Sequence, residues 1–132
     1  MASIFSKIIA GEIPCHKVAE SSDYFAFLDI RPVSKGHTLV VPKDEVDYVF
    51  DLDNHTYLGL MEFAKKVAKA MNQALKPIRV GMMVEGLEVP HAHVHLIPMY
   101  AEGGPFRLGR SIELKNDEMR HIAEHIAKHL HQ

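Results

Sequence analysis

The sequence predicts an α+β domain whose sheet has five strands and is mostly antiparallel. Two observations predict it: short β-branched runs bounded by turn residues, and two stretches in which apolar residues recur every three or four positions. The chain has 132 residues, of which 47% are hydrophobic and 24% charged, as in globular proteins. A chain of this length is expected to form one domain over residues 1–132.

The first half predicts one short helix and three strands. Ser3 is placed to cap a helix through SIFSKIIA, with Gly11 ending it. Strands are predicted at about 15–20 and 23–30, joined by a polar turn at residues 21–23. HTLVVP is a short β-branched run between Gly36 and Pro42, and it predicts a buried strand.

The second half predicts a long helix, a hairpin and a final helix. The long helix covers about 54–75, and its inward side is predicted to consist of Leu58, Met61, Ala64, Val67, Ala68, Met71 and Leu75. IRVGMMVEG and PHAHVHLIPM are predicted to be the two strands of the hairpin. The final helix covers about 117–130, and its inward side is predicted to be Met119, Ile122, Ile126 and Leu130.

Composition excludes several classes of protein. The formal net charge of −2 argues against a nucleic-acid binder, which would show a basic face. No apolar run reaches membrane-spanning length and no secretion segment opens the sequence, so we expect no membrane partner. The single cysteine, Cys15, cannot form an internal disulfide, which favours a cytoplasmic location.

PHAHVHLIPM places histidines at every second position, His91, His93 and His95. On a strand these side chains share one face, about 6.6 Å apart at a rise of roughly 3.3 Å per residue, while Ala92, Val94 and Leu96 face the core. The row is either an exposed face without function, a metal site, or a site for phosphoryl or nucleotidyl transfer through a nucleophilic imidazole. Spacing alone does not separate the last two.

Longer motifs resemble those of the histidine-triad (HIT) family. PHAHVHLIPM has the form of the triad signature, and SIFSKIIAGEIPCHKV and YFAFLDIRPVSKGHTLVVPK resemble the amino-terminal half of the family, in the same order. The resemblance covers about residues 3–100. It implies a HIT-like fold, a homodimer with one sheet across both subunits, and release of a nucleoside monophosphate from a leaving group through a nucleotidyl-histidine, with no metal or other cofactor.

The resemblance also implies roles for four histidines. His93 matches the nucleophile. His95 matches the histidine whose backbone and ring orient the nucleophile and bind phosphate, and His91 matches the one that lies toward the bridging atom and leaving group. His37 matches a fourth histidine that supports the nucleophile.

Other matched positions concern the nucleotide. Asp29 matches the acid that takes the ribose hydroxyls, although an aspartate there also suits a turn. An apolar slot that would stack a purine, and could equally be ordinary core, is formed by Phe5, Ile8, Phe27 and Ile30. A purine nucleotide is therefore the expected substrate.

The loop before the triad departs from the family. Gly86 and Val89 hold their places, but Leu87 stands where glutamine is usual and Glu88 where a small hydroxyl is usual. An ionised carboxylate cannot donate to phosphate and repels it, so we expect weaker binding of nucleoside monophosphates.

Two more departures concern metal ions. Ser3 and Ser6 occupy positions at which some bacterial members carry zinc-binding cysteines, so that site is expected to be absent. His121, His125 and His129 predict a solvated helix face or, less simply, a metal face.

The alternatives to a hydrolase are a nucleotide-binding protein of low activity and a zinc-binding module that uses His37, His91 and His93. Arg107 or Arg110 could reach a phosphate of the leaving group.

Overall fold

Five strands form one antiparallel sheet in a computed structural model that describes residues 2–102, 104, 105, 109 and 111–130. The strands are β1 (Lys17–Glu20), β2 (Tyr24–Leu28), β3 (Thr38–Pro42), β4 (Arg79–Met83) and β5 (Val94–Met99). Their order across the sheet is β1-β2-β3-β5-β4. The helices are α1 (Ile4–Ile9), α2 (Asn54–Leu75) and α3 (Asn116–Lys128). The expected α+β class and five-stranded antiparallel sheet are confirmed.

The predicted ends of α1 are confirmed. The Ser6 backbone N–H donates to Ser3 Oγ at 3.0 Å, which satisfies one of the free N–H groups of the first turn. Gly11 follows the helix with φ +83°, a conformation that costs glycine little and other residues more.

The main core lies between α2 and one face of the sheet. Leu60, Ala64, Val67 and Met71 are buried there, against Ala26, Val40, Val94 and Leu96. The prediction that Leu58 faces inward is wrong, because Leu58 is 64% exposed and Leu60 is fully buried. At 100° per residue these two side chains are about 200° apart around the helix, so only one can join the buried stripe.

The opposite face of the sheet carries a second, smaller core under α1. Phe5 from α1 packs there with Phe25, Phe27, Leu39 and Val41. Because α1 covers this face only in part, the sheet leaves room beside Phe5 for a cleft.

The predicted inward face of α3 is wrong within the part of the chain that the structure describes. Met119, Ile122, Ile126 and Leu130 are between 46% and 69% exposed. The helix itself forms close to its predicted bounds, since its amphipathic pattern is real. The pattern predicts that one side is apolar, but it does not identify the surface that covers that side.

Over the described ranges, none of the helices combines the length and the apolar character needed to cross a bilayer.

Candidate active site

The three histidines of PHAHVHLIPM do not all lie on one strand. Strand β5 starts at Val94, so only His95 belongs to it. His91 N–H bonds to Val89 O and Ala92 N–H bonds to Val46 O, which turns the chain before the strand begins. His91 still lies on the same side of the chain as His93, since both rings pack against Phe5 of α1, while Ala92 and Val94 lie in the core under α2. The side chain of His91 is fully buried there.

The ring of His91 is held at both nitrogens. Its Nε2 lies 2.8 Å from Pro42 O, and a carbonyl can only accept, so Nε2 carries the proton. Its Nδ1 lies 2.7 Å from Ser3 Oγ, so the serine hydroxyl donates to it. Burial lowers the pKa of His91, which keeps the ring neutral.

His93 is held in one tautomer by the backbone of His91. His93 Nδ1 donates to His91 O at 2.8 Å, so Nε2 keeps its lone pair. The ring is 5% exposed and packs edge-on against Phe5, with centroids 4.9 Å apart. The orienting backbone contact was expected from His95, and this is corrected to His91. The carbonyl two residues before His93 reaches its ring because the chain turns at His91.

His95 is held in the opposite tautomer. The Val33 N–H donates to His37 Nδ1 at 3.2 Å, which leaves the proton of His37 on Nε2. His37 Nε2 donates to His95 Nδ1 at 2.9 Å, so His95 carries its own proton on Nε2. His37 was expected to support His93, but its ring contacts His95, because His37 comes just before β3, where Leu39 pairs with His95.

Burial lowers the pKa of both rings of this pair. The pKa of His95 falls to about 4, through burial first and then through the neighbouring His93 and His37. Burial lowers the pKa of His37 as well, partly opposed by the Asp29 carboxylate. Both are neutral at pH 7, so His95 donates from Nε2 as an uncharged imidazole.

Asp29 stands at the edge of the same group. Its Oδ1 accepts from the Arg31 N–H at 2.9 Å, so the turn role that its position suggested is present. Its Oδ2 lies 3.7 Å from His37 Nε2. The carboxylate is partly exposed and can accept further hydrogen bonds from a ligand.

These groups line a cleft with a volume of about 490 Å³. Eight of the residues predicted for the site line it: Phe5, Asp29, Ile30, His37, Glu88, Val89, His93 and His95. Four predicted residues do not: Ile8, Phe27, Gly86 and His91. Ile8 and Phe27 pack in the core under α1, which is the alternative to a base-binding slot that the sequence left open. Gly86 turns the loop with φ +74°.

His91 was expected to lie toward the leaving group; its ring is fully buried and is not among the residues that line the cleft, whereas His95 is. Sequence reasoning missed the other lining residues: Ile4, Arg31, Val33, Leu39, Met83, Glu85 and Ile97. The position of Arg31 beside Asp29 was the available signal for a cation in the cleft.

The zinc set His37, His91 and His93 is not brought together. Within the described ranges, the group with metal-ligand geometry is Asp29, His37 and His95, whose ligand atoms all lie within 4.8 Å of one another. For His37 Nε2 to bind a metal, its proton would have to move to Nδ1, where the Val33 N–H also points. The hydrogen bonds therefore favour a network of imidazoles over a metal centre.

The other candidate groups lie apart from the cleft. His125 and His129 are exposed neighbours on α3, with ring centroids 4.9 Å apart. Arg107 and Arg110 fall outside the described residues.

Comparisons with known proteins agree with this geometry. The family model described as HIT domain matches residues 10–102, which contain all four histidines and Asp29. The chain belongs to the HIT family. It is 36% identical to the protein named hit of Bacillus subtilis, over 96% of this chain and 93% of that one. It is 34% identical to the adenosine 5'-monophosphoramidase hnt1 of Schizosaccharomyces pombe, over 96% and 97%. A crystal structure of a HIT family member from Bacillus subtilis superposes with a TM-score of 0.88 at 34% identity, covering 100% of this chain and 99% of that one.

Proposed function

We propose that this HIT protein hydrolyses purine nucleoside monophosphate derivatives, in which a leaving amine or phosphate is attached to the phosphorus. The single observation that carries the proposal is the pair of opposite tautomers in one cleft. His93 presents a lone pair at Nε2 and His95 presents a proton at Nε2, with ring centroids 4.9 Å apart. Attack on phosphorus requires the first group, and stabilising the charged phosphate oxygens requires the second.

The reaction proceeds in two displacements. His93 Nε2 forms a bond to phosphorus while the bond from phosphorus to the leaving nitrogen or oxygen breaks, and the leaving group takes a proton from water. Water then attacks phosphorus and gives a proton to the hydroxide left by the first step, the bond to Nε2 breaks, and His93 regains its lone pair. His95 Nε2–H donates to a phosphate oxygen in both steps, without a change in its own charge.

The rest of the cleft suits a nucleoside. Asp29 supplies a carboxylate for the ribose hydroxyls, and Phe5 with Ile30 supplies apolar surface for the base. An apolar surface stacks either purine, so low discrimination between adenine and guanine is expected. The names of the yeast relatives, adenosine 5'-monophosphoramidases, support this substrate class.

The test is turnover of adenosine 5'-phosphoramidate, an aminoacyl adenylate and a dinucleoside polyphosphate. We expect release of AMP from at least one of them, and loss of that release in His93→Ala. Turnover that survives His93→Ala contradicts the assigned nucleophile. Absence of turnover with all three contradicts the proposed activity.

A second candidate is a nucleotide-binding protein of low activity. Glu85 and Glu88 both line the cleft, and two carboxylates disfavour an anionic phosphate. Turnover separates the candidates: a regulatory binder binds AMP in calorimetry and turns over none of the three substrates, whereas the hydrolase turns over at least one.

A homodimer is part of the proposal. Strand β4 lies at one edge of the sheet with Ile78 and Met82 exposed beside it, and α3 exposes an apolar side. Pairing of the two β4 edges would extend the sheet across two subunits and cover these residues. Light scattering coupled to size exclusion tests it: a mass near twice 14.9 kDa supports the dimer and a mass near 14.9 kDa contradicts it.

A further inference from the structure

Glu45, Ser3, Ser6 and His91 lie outside the cleft, and hydrogen bonds through their side chains and backbone join them in a chain that ends at His93. Glu45 Oε1 accepts from the Ser3 backbone N–H at 2.7 Å and from the Ser6 hydroxyl at 2.6 Å. Ser3 Oγ donates to His91 Nδ1 at 2.7 Å. His91 O accepts from His93 Nδ1 at 2.8 Å.

The donors and acceptors in this chain follow from their partners, although the Ser6 hydroxyl is a second, longer contact of His91 Nδ1 at 3.5 Å. Pro42 O can only accept from His91 Nε2, so His91 Nδ1 must accept, and the Ser3 hydroxyl must donate. The lone pairs of Ser3 Oγ are free to accept from the Ser6 N–H at 3.0 Å. Among the described residues, no buried side-chain nitrogen or oxygen lacks a partner, so the arrangement is fully satisfied.

The chain acts on His93 through the backbone of His91. The His91 ring is fully buried and fixed at both nitrogens, which restrains the peptide group that follows it. That peptide supplies the carbonyl that holds His93 in the reactive tautomer. Phe5 adds a second connection, because it lies on α1 two residues after Ser3 and packs edge-on against both His91 and His93.

We propose that Ser3 is a positioning residue for His93, and that Glu45 holds Ser3 in place for this purpose. The inference rests on the proposed function, because it assigns Ser3 and Glu45 to the same reaction without contact to the substrate. Through these contacts, the Ser3 hydroxyl and the Glu45 carboxylate couple the position of α1 to the direction in which the His93 Nε2 lone pair points.

The first comparison separates this role from helix capping. Ser3→Ala removes both the cap and the donor to His91, whereas Ser3→Gly removes the donor and keeps most of the capping stability. Asp53→Ala is the matched control, since Asp53 caps α2 by accepting from the Thr56 N–H at 2.7 Å. We expect kcat to fall about five- to fiftyfold in both Ser3 variants with KM unchanged, and to remain at the wild-type value in Asp53→Ala.

The second comparison substitutes Glu45, the exposed end of this hydrogen-bonded chain, where substitution is well tolerated. Glu45→Gln keeps an amide oxygen that accepts from Ser3 and Ser6, and Glu45→Ala does not. We expect kcat to fall about two- to tenfold in Glu45→Ala and to be restored in Glu45→Gln. Equal kcat in wild type, Glu45→Ala and folded Ser3→Gly overturns the proposal.

A measurement without substrate keeps this inference separate from the proposed function. In ¹⁵N NMR spectra of the wild type, His91 is expected as the neutral Nε2–H tautomer. In Ser3→Gly the Nδ1 of His91 loses its donor, so its ¹⁵N resonance is expected to shift while the Nε2–H tautomer is kept. A wild-type His91 protonated at Nδ1 overturns the inference. A wild type that shows the expected tautomers and hydrolyses none of the substrates contradicts only the proposed function.

Discussion

Replacing His37 tests the fixed tautomer of His95. In His37→Leu the donor to His95 Nδ1 disappears, and the Val33 N–H loses its acceptor. His95 is then free to carry its proton on Nδ1, which turns a lone pair toward the phosphate. The Nε2–H donor that the reaction requires would be present in only part of the molecules.

The magnitude follows from the contact that is lost. The distance of 2.9 Å between His37 Nε2 and His95 Nδ1 is that of a full hydrogen bond. Leaving a partly buried nitrogen without its partner costs about 1–3 kcal/mol. If the transition state needs one tautomer, that cost appears in kcat as a reduction of about 5- to 150-fold. KM for a nucleotide held mainly by its base and ribose changes less.

The assay is steady-state hydrolysis of adenosine 5'-phosphoramidate, with thermal unfolding measured on the same samples. His37→Gln is the matched control, because its amide N–H can occupy the place of Nε2–H and restore part of kcat. A folded His37→Leu protein with wild-type kcat would refute the reasoning. Equal losses in His37→Leu and His37→Gln would also refute it, since the hydrogen bond would then not be the relevant property.

Three further predictions concern affinity, core packing and pH. Glu88→Ser removes a carboxylate from the cleft, so calorimetry should show AMP binding about two- to fivefold tighter; unchanged affinity contradicts the assigned repulsion. Leu60→Ala should lower the free energy of unfolding by about 2–5 kcal/mol and Leu58→Ala by less than about 0.5 kcal/mol in urea denaturation. The pKa of His95 falls to about 4 in the folded protein. As the pH drops below about 6.5, this histidine therefore takes up a proton in the unfolded chain before it does so in the folded protein. Stability should therefore fall between pH 6.5 and 4, by about 1–2 kcal/mol from this partly exposed ring, and less steeply in His95→Gln.

Local patterns were sufficient to predict most of the fold. The bounds of α2 agree with the recurrence of apolar residues over 54–75, and Ser3 and Gly11 mark the ends of α1. These features depend on short-range sequence, which is why they could be read without a structure. The assignment of Leu58 failed because three- and four-residue spacing allows two neighbouring stripes on one helix.

Tertiary placement limited what could be said of the site. The spacing of His91, His93 and His95 is that of a strand, but the turn at His91 depends on Val46 and Val89, which no local pattern connects to it. The carbonyl that orients His93 was therefore assigned to His95 instead of His91. Ser3 was predicted only as a helix cap and a poor zinc ligand, and Ser6 only as a poor zinc ligand. Their hydrogen bonds to Glu45 and His91 span about 40 to 90 residues of sequence.

Trapping the covalent intermediate tests the central claim most directly. Protein mixed with adenosine 5'-phosphoramidate is quenched in alkali within one turnover, digested, and mapped by mass spectrometry. The account predicts an adenylyl group on His93, and its loss in His93→Ala. An adenylyl group on His91, His95 or His37, or hydrolysis with no adduct at any time point, would contradict it.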